Sequence, residues 1–175
     1  MKQLFTLILF VVFTYSYSQV GTVFPELAGT TLNDKTISLP AATKGKITLI
    51  CIAYSKKAED NLRSWMNPMY NKFVAKTGML DANYDVNLFF IPMFGGLRGA
   101  TEPIAKREMK EDTDKLYYDN VVCYRGSMKP YKENLKLEDK ELPYLFILDK
   151  AGKIIYVTSG VYSGDKMDEI EEKLE

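Results

Sequence analysis

The sequence predicts an α/β fold: a mixed central sheet with helices on both faces and a β-hairpin at its N-terminal end. Three observations predict it. "ITLICIA" at 47–53 is apolar on both alternating faces, and "YDVNLFFIPMF" at 84–94 is nearly so, as strands buried inside a sheet are. A helical pattern follows each run. "LPYLFILDKAGKIIYVTSG" at 142–160 then reads as two strands around an Asp-Lys-Ala-Gly turn. Strands alternating with helices, closed by a hairpin and a last helix, imply a sheet sandwiched between helical layers.

Met1-Lys2 gives a short basic start, Leu4 to Phe13 is almost wholly apolar, and Ser16 and Ser18 are small residues before Gln19. That order predicts a secretory signal over 1–18, followed by a single domain over 19–175. An apolar run of about ten residues falls short of the roughly 20 that span a bilayer, so no membrane span is expected after removal; a retained anchor is the alternative. "GTTLNDKTISL" reads as two short strands around Asn33-Asp34. After the first core strand, Ala58, Leu62, Trp65, Met66, Met69 and Phe73 form one helical stripe. Ser55 is its predicted N-cap, and Pro68 should kink that helix rather than end it. "GGLRG" is a loop, 101–115 a helix with Pro103 near its start, "NVVCY" a third, edge-like strand, "KPYKENL" a brief helix, and 163–174 the closing helix.

Composition excludes several classes. The chain has 23 basic and 23 acidic residues, which argues against nucleic-acid binding. It has no histidine, which removes Ser-His-Asp and Cys-His nucleophiles, His-based zinc sites and a proximal-His haem. No metal or cofactor is expected. Cys51 falls inside an apolar strand, where burial raises a thiol's pKa and leaves little thiolate. Lys56 and Lys57 stand where a helix opens; they can receive an anionic group or simply be solvated. Tyr54 either lines the same surface or caps the core.

The element order, with "GTVFPELAGTTLNDKTISLPAATKGKITLI" and "LPYLFILDKAGKIIYVTSG", resembles the thioredoxin-like superfamily, in particular its exported redoxin and TlpA-type branch. "SKKAEDNLRSWMNPMYNKF" and "VVCYRGSMKPYKENLKLEDKELPYLFILDKAGKIIY" are similar to a thioredoxin-like family of ATP synthase assembly factors. The resemblance implies a three-layer thioredoxin-like sandwich with a cis-proline at Pro143. Redox members carry a Cys-x-x-Cys pair at the opening of the first long helix. Here no cysteine lies between Cys51 and Cys123. The implied strand order sets those two about 9.5 Å apart, beyond disulfide reach, so both are expected as free thiols.

The resulting expectation is an exported protein of a bacterial periplasm or cell envelope, without catalytic residues, that binds a protein partner in assembly or maturation. Its surface would be Tyr54, Ser55, Lys56, Lys57, Leu142 and Pro143. The alternative is an atypical thiol oxidoreductase or peroxidase-like redoxin using a lone cysteine. A small molecule in the same cleft is a third reading.

Overall fold

A computed structural model describes residues 19–95 and 102–174. The expected signal segment, and all of "GGLRG" except Gly95, lie outside the described residues. The strands are β1 (Leu27–Thr31), β2 (Thr36–Leu39), β3 (Ile47–Ala53), β4 (Val86–Phe94), β5 (Val122–Arg125), β6 (Tyr144–Leu148) and β7 (Ile154–Ser159). The helices are α1 (Lys56–Tyr70), α2 (Glu102–Asp112), α3 (Lys129–Asn134) and α4 (Gly164–Glu172). The sheet runs β2-β1-β5-β4-β3-β6-β7, with β3, β4 and β5 parallel to one another and the remaining pairs antiparallel. This is the mixed sheet the sequence predicts.

The period of two in β3 builds both cores. Leu49, Cys51 and Ala53 face one way, against Ala58, Leu62, Trp65, Met69 and Phe73 of the α1 stripe and Met167 and Ile170 of α4. Ile50, Ile52 and Tyr54 face the other way, against Phe24, Leu27, Leu39, Tyr131 and Leu135. The α helix continues past Pro68 to Tyr70 and then widens into a π-type turn over Asn71–Ala75, so the stripe does continue past the proline.

Two expectations need correction. The strand of Cys123 is not an edge: β1 pairs outside it, with Thr30 opposite Cys123 and Thr31 opposite Val122. Cys123 is accordingly buried rather than half-buried. The Leu142–Pro143 bond is also not cis; among the described residues the cis peptide is Leu39–Pro40. Trans is the default for an X–Pro bond. Here the residues before Pro143 are tied to α1 and to Tyr144.

The β1–β2 hairpin forms the edge of the sheet beyond β5, and Leu27 and Leu39 at its open end pack in the same core as Ile50 and Ile52. Its open end lies by Gly152, where a Cβ would come within 2.8 Å of Pro40 and where φ is +86°, so only glycine fits. Its tip reaches β5 and α2. Asp34, at φ 63° in the turn, accepts from Lys106 Nζ at 2.9 Å and Lys110 Nζ at 2.8 Å. Those bonds hold its carboxyl down at about pKa 2, against 3.8 ordinarily. A depressed folded pKa means the contribution is complete above the unfolded value and is lost as pH falls from about 4 through 2. Asp34→Asn should therefore speed amide exchange at the hairpin tip near neutral pH. The difference from wild type should shrink as pH falls through 2, and a variant-to-wild-type ratio that is the same at neutral pH and at pH 2 would refute the role.

Candidate functional site

The C-terminal end of β3 and the start of α1 form the place where redox chemistry would sit in this architecture. The thiols are elsewhere. Cys51 is fully buried beneath α1, its Sγ 3.7 Å from Met69 Sδ, and burial pushes its pKa far up. Cys123 lies on β5 with β4 intervening, and neither thiol is in a disulfide. Both should stay unreactive toward Ellman's reagent in the native protein and react fully once it is unfolded. Rapid modification of the native chain would contradict their burial.

What occupies the helix opening instead is a set of latches. Ser55 is extended, and its Oγ accepts from Ala58 N at 3.0 Å, the expected N-cap. The same hydroxyl donates to Lys140 O. Tyr54 OH donates to Leu137 O at 2.8 Å, and burial, with Tyr144 and Asp139 nearby, pushes its pKa up to about 12. Asn61 Nδ2 donates to Glu141 O at 2.8 Å, and Asp139 N to Tyr144 OH at 2.7 Å. Residues 137–143 are thus a strap bonded across the first turns of α1.

A second loop is fixed to the same place. Gly160 N donates to Pro143 O at 2.9 Å, Trp65 Nε1 to Gly160 O at 2.8 Å, and Tyr162 N to Ser64 Oγ at 3.0 Å. The Trp65 and Tyr162 rings meet edge-on at 5.2 Å. Strap, α1 and the 160–162 loop therefore make one platform. From it project Lys56, Lys57, Lys140, Val161 and Tyr162, all exposed.

The six residues singled out from sequence divide sharply. Tyr54 and Pro143 are buried, and Ser55 and Leu142 are half-buried. Only Lys56 and Lys57 reach solvent fully, Lys56 lying 3.8 Å from Asp60. Sequence reasoning missed Asn61, Ser64, Gly160 and Tyr162. The polar pair at i and i+3 beside Trp65 was visible, but its partners lie some 80 to 100 residues away.

A broad depression of about 670 Å³ opens to solvent over Tyr54, Lys132 and the strap. A closed-in apolar niche between α1, β4 and α2, lined by Leu62, Met66, Phe90, Pro92 and Met109, has only about 40 Å³. That is well below the roughly 300 Å³ at which small-molecule sites begin. Among the described residues no three His, Cys, Asp or Glu side chains cluster to hold a metal.

A family model described as ATP10 protein matches residues 15–172. The chain belongs to the ATP10 protein family. The sequence resemblance to ATP synthase assembly factors holds, and the ATP10 chain has a thioredoxin-like fold. It is 19% identical to the exposed lipoprotein thioredoxin Etrx1 of Streptococcus pneumoniae, over 86% of this chain and 100% of that one, with a TM-score of 0.59. The thioredoxin domain of a Bacteroides vulgatus thiol-disulfide oxidoreductase is 21% identical, over 89% and 98%, with a TM-score of 0.59. Yeast Sco1, solved with copper bound, is 15% identical over 86% and 91%, with a TM-score of 0.55. No curated protein matches the sequence. Copper does not suit this ATP10 family member: it has no histidine, and its two thiols are buried two strands apart. No described helix is long and apolar enough to cross a membrane.

Proposed function

We propose that this protein is an exported assembly or maturation factor of a bacterial cell envelope, acting by binding a protein partner and without thiol chemistry. Residues 1–18 are read as a leader removed before Gln19, and 19–175 as the working domain. Membership of the ATP10 family and the thioredoxin-like fold support an assembly role. The observation that carries the absence of redox work is Ser55: at the helix opening its hydroxyl serves both the cap and the strap, while both thiols are buried.

The partner reads side chains rather than an open strand edge. The carbonyls of Leu137, Lys140, Glu141 and Pro143 already accept bonds, so they do not offer the free acceptors that an added peptide strand requires. Lys56 and Lys57, beside the half-buried Leu142 and the exposed Val161 and Tyr162, supply the contact surface.

A photoreactive residue in place of Lys57 should crosslink one envelope protein in cells, and the same residue in place of Lys35, on the hairpin, should not. Insulin reduction and peroxide consumption should be at background. Turnover that disappears in Cys51→Ser or Cys123→Ser would overturn the reading in favour of a lone-thiol oxidoreductase.

A further inference from the structure

At the opposite end of β3 and β4 from that platform, two consecutive apolar side chains stand in solvent. Met79 is 97% and Leu80 73% exposed, with Val74 partly exposed beside them. Large hydrophobics scattered singly are ordinary on protein surfaces; an adjacent pair displayed by a rigid turn is not.

The turn is held from below. Lys76 closes the π-type turn in the left-handed conformation, and its N–H bonds back to Asn71 O. Asp81, only 7% exposed, accepts from Gly78 N at 2.7 Å through Oδ2, and its own N donates to Gly78 O at 3.2 Å. Lys72 Nζ lies 3.9 Å from Asp81 Oδ1 and 2.6 Å from Glu171 Oε1, tying the turn to α4. Asn83 N bonds to Leu80 O and Tyr84 N to Asp81 O, and the Tyr84 ring meets Phe73 edge-on. The backbone beneath Met79 and Leu80 is thus bonded on both sides while their side chains touch solvent.

The surroundings are basic. Lys46 Nζ pairs with Asp85 Oδ1 at 2.6 Å, and Asp85 also feels Lys76 and Lys150. Gly45 N donates to Lys150 O at 2.8 Å, which brings Lys44 and Lys46 against the β6–β7 turn. Five lysines (44, 46, 72, 76 and 150) therefore collect at this end against the carboxylates of Asp81, Asp85, Asp149 and Glu171. Asp149 is half-buried, its Oδ1 accepting from Ala151 N and Lys153 N within the turn. A depression of about 270 Å³ lined by Lys46, Lys76, Asn87 and Asn120 adjoins Val74.

We infer that the Met79–Leu80 turn and its lysine collar form a docking surface for an anionic phospholipid bilayer, the two side chains entering the headgroup boundary and the lysines meeting lipid phosphates. Apolar tips with lysines gathered at the same end of the sheet match both parts of such an interface. A protein surface that is both apolar and acidic is the competing occupant, and a probe silent on anionic vesicles would favour it. Docked on the bilayer, the molecule would hold its partner-binding platform pointing away from the membrane.

The full chain tests this with an environment-sensitive fluorophore attached through Met79→Cys, the native thiols being buried. On vesicles of phosphatidylcholine with phosphatidylglycerol its emission should shift to the blue. On phosphatidylcholine alone, or with the probe attached through Lys57→Cys, it should not. Met79→Ser with Leu80→Ser should lower the partition coefficient about tenfold or more, and Lys76→Gln or Lys150→Gln about fivefold each, with Trp65 emission in solution unchanged. A silent probe at position 79 on anionic vesicles overturns the inference, even if the chain sediments with them through its apolar first residues. So does an equal response from position 57, or binding that the double serine variant leaves intact. The crosslinking result at Lys57 is independent of all these outcomes.

Discussion

Trp65→Ala should cost about 3–5 kcal/mol of folding free energy, the range for removing a large aromatic from a core. For a chain of this size that is a fall in Tm of roughly 10 °C or more. The side chain is fully buried, stacks edge-on with Tyr162 and donates to Gly160 O, so its loss removes packing, an aromatic contact and a bond together. Trp65→Phe separates these effects: it keeps most of the volume and loses the bond to Gly160, for about 1–3 kcal/mol. Urea melting of both variants measures the two losses. Amide exchange at Gly160 and Tyr162 should rise in both. A loss under about 1 kcal/mol in the alanine variant would show that the 160–162 loop is held by something other than α1.

Ser55→Ala should follow with about 1–3 kcal/mol, the sum of a lost N-cap and a lost bond to the strap. The local effect should exceed the global one. With Lys140 O released and Tyr54, Asn61 and the Tyr144 hydroxyl still gripping, residues 138–142 should become the first part of the molecule cut by a protease. Ser55→Thr keeps the hydroxyl and should restore both stability and resistance. If alanine and threonine behave alike, the hydroxyl is not the latch. Crosslinking at Lys57 in the alanine variant then shows whether the partner needs the strap closed.

The fold was legible because its signals are local. The double-sided run at Ile47 to Ala53, the stripe from Ala58 to Phe73, and the Asp149 to Gly152 turn each declare themselves within a few residues. The site was legible in place but not in content. Tyr54 and Pro143 stood in the right region, yet burial depends on residues far along the chain: Leu137 for one, Gly160 for the other. A cis bond at Pro143 followed from resemblance and had nothing local in the residues behind it. The burial of Cys123 was underestimated for a similar reason. Nothing near residue 123 indicates that the strand covering it comes from residues 30 and 31.

That long-range pairing has a consequence for how the molecule is made. The hairpin over Leu27–Leu39 emerges early from the ribosome, yet its seat is formed by Tyr118 to Cys123 at one end and Gly152 at the other. Until some 150 residues have been synthesised, those apolar strands have nowhere to dock. The earliest part of the domain must wait for these late residues, so the nascent chain carries Leu27, Leu32 and Leu39 unsheltered through most of its synthesis.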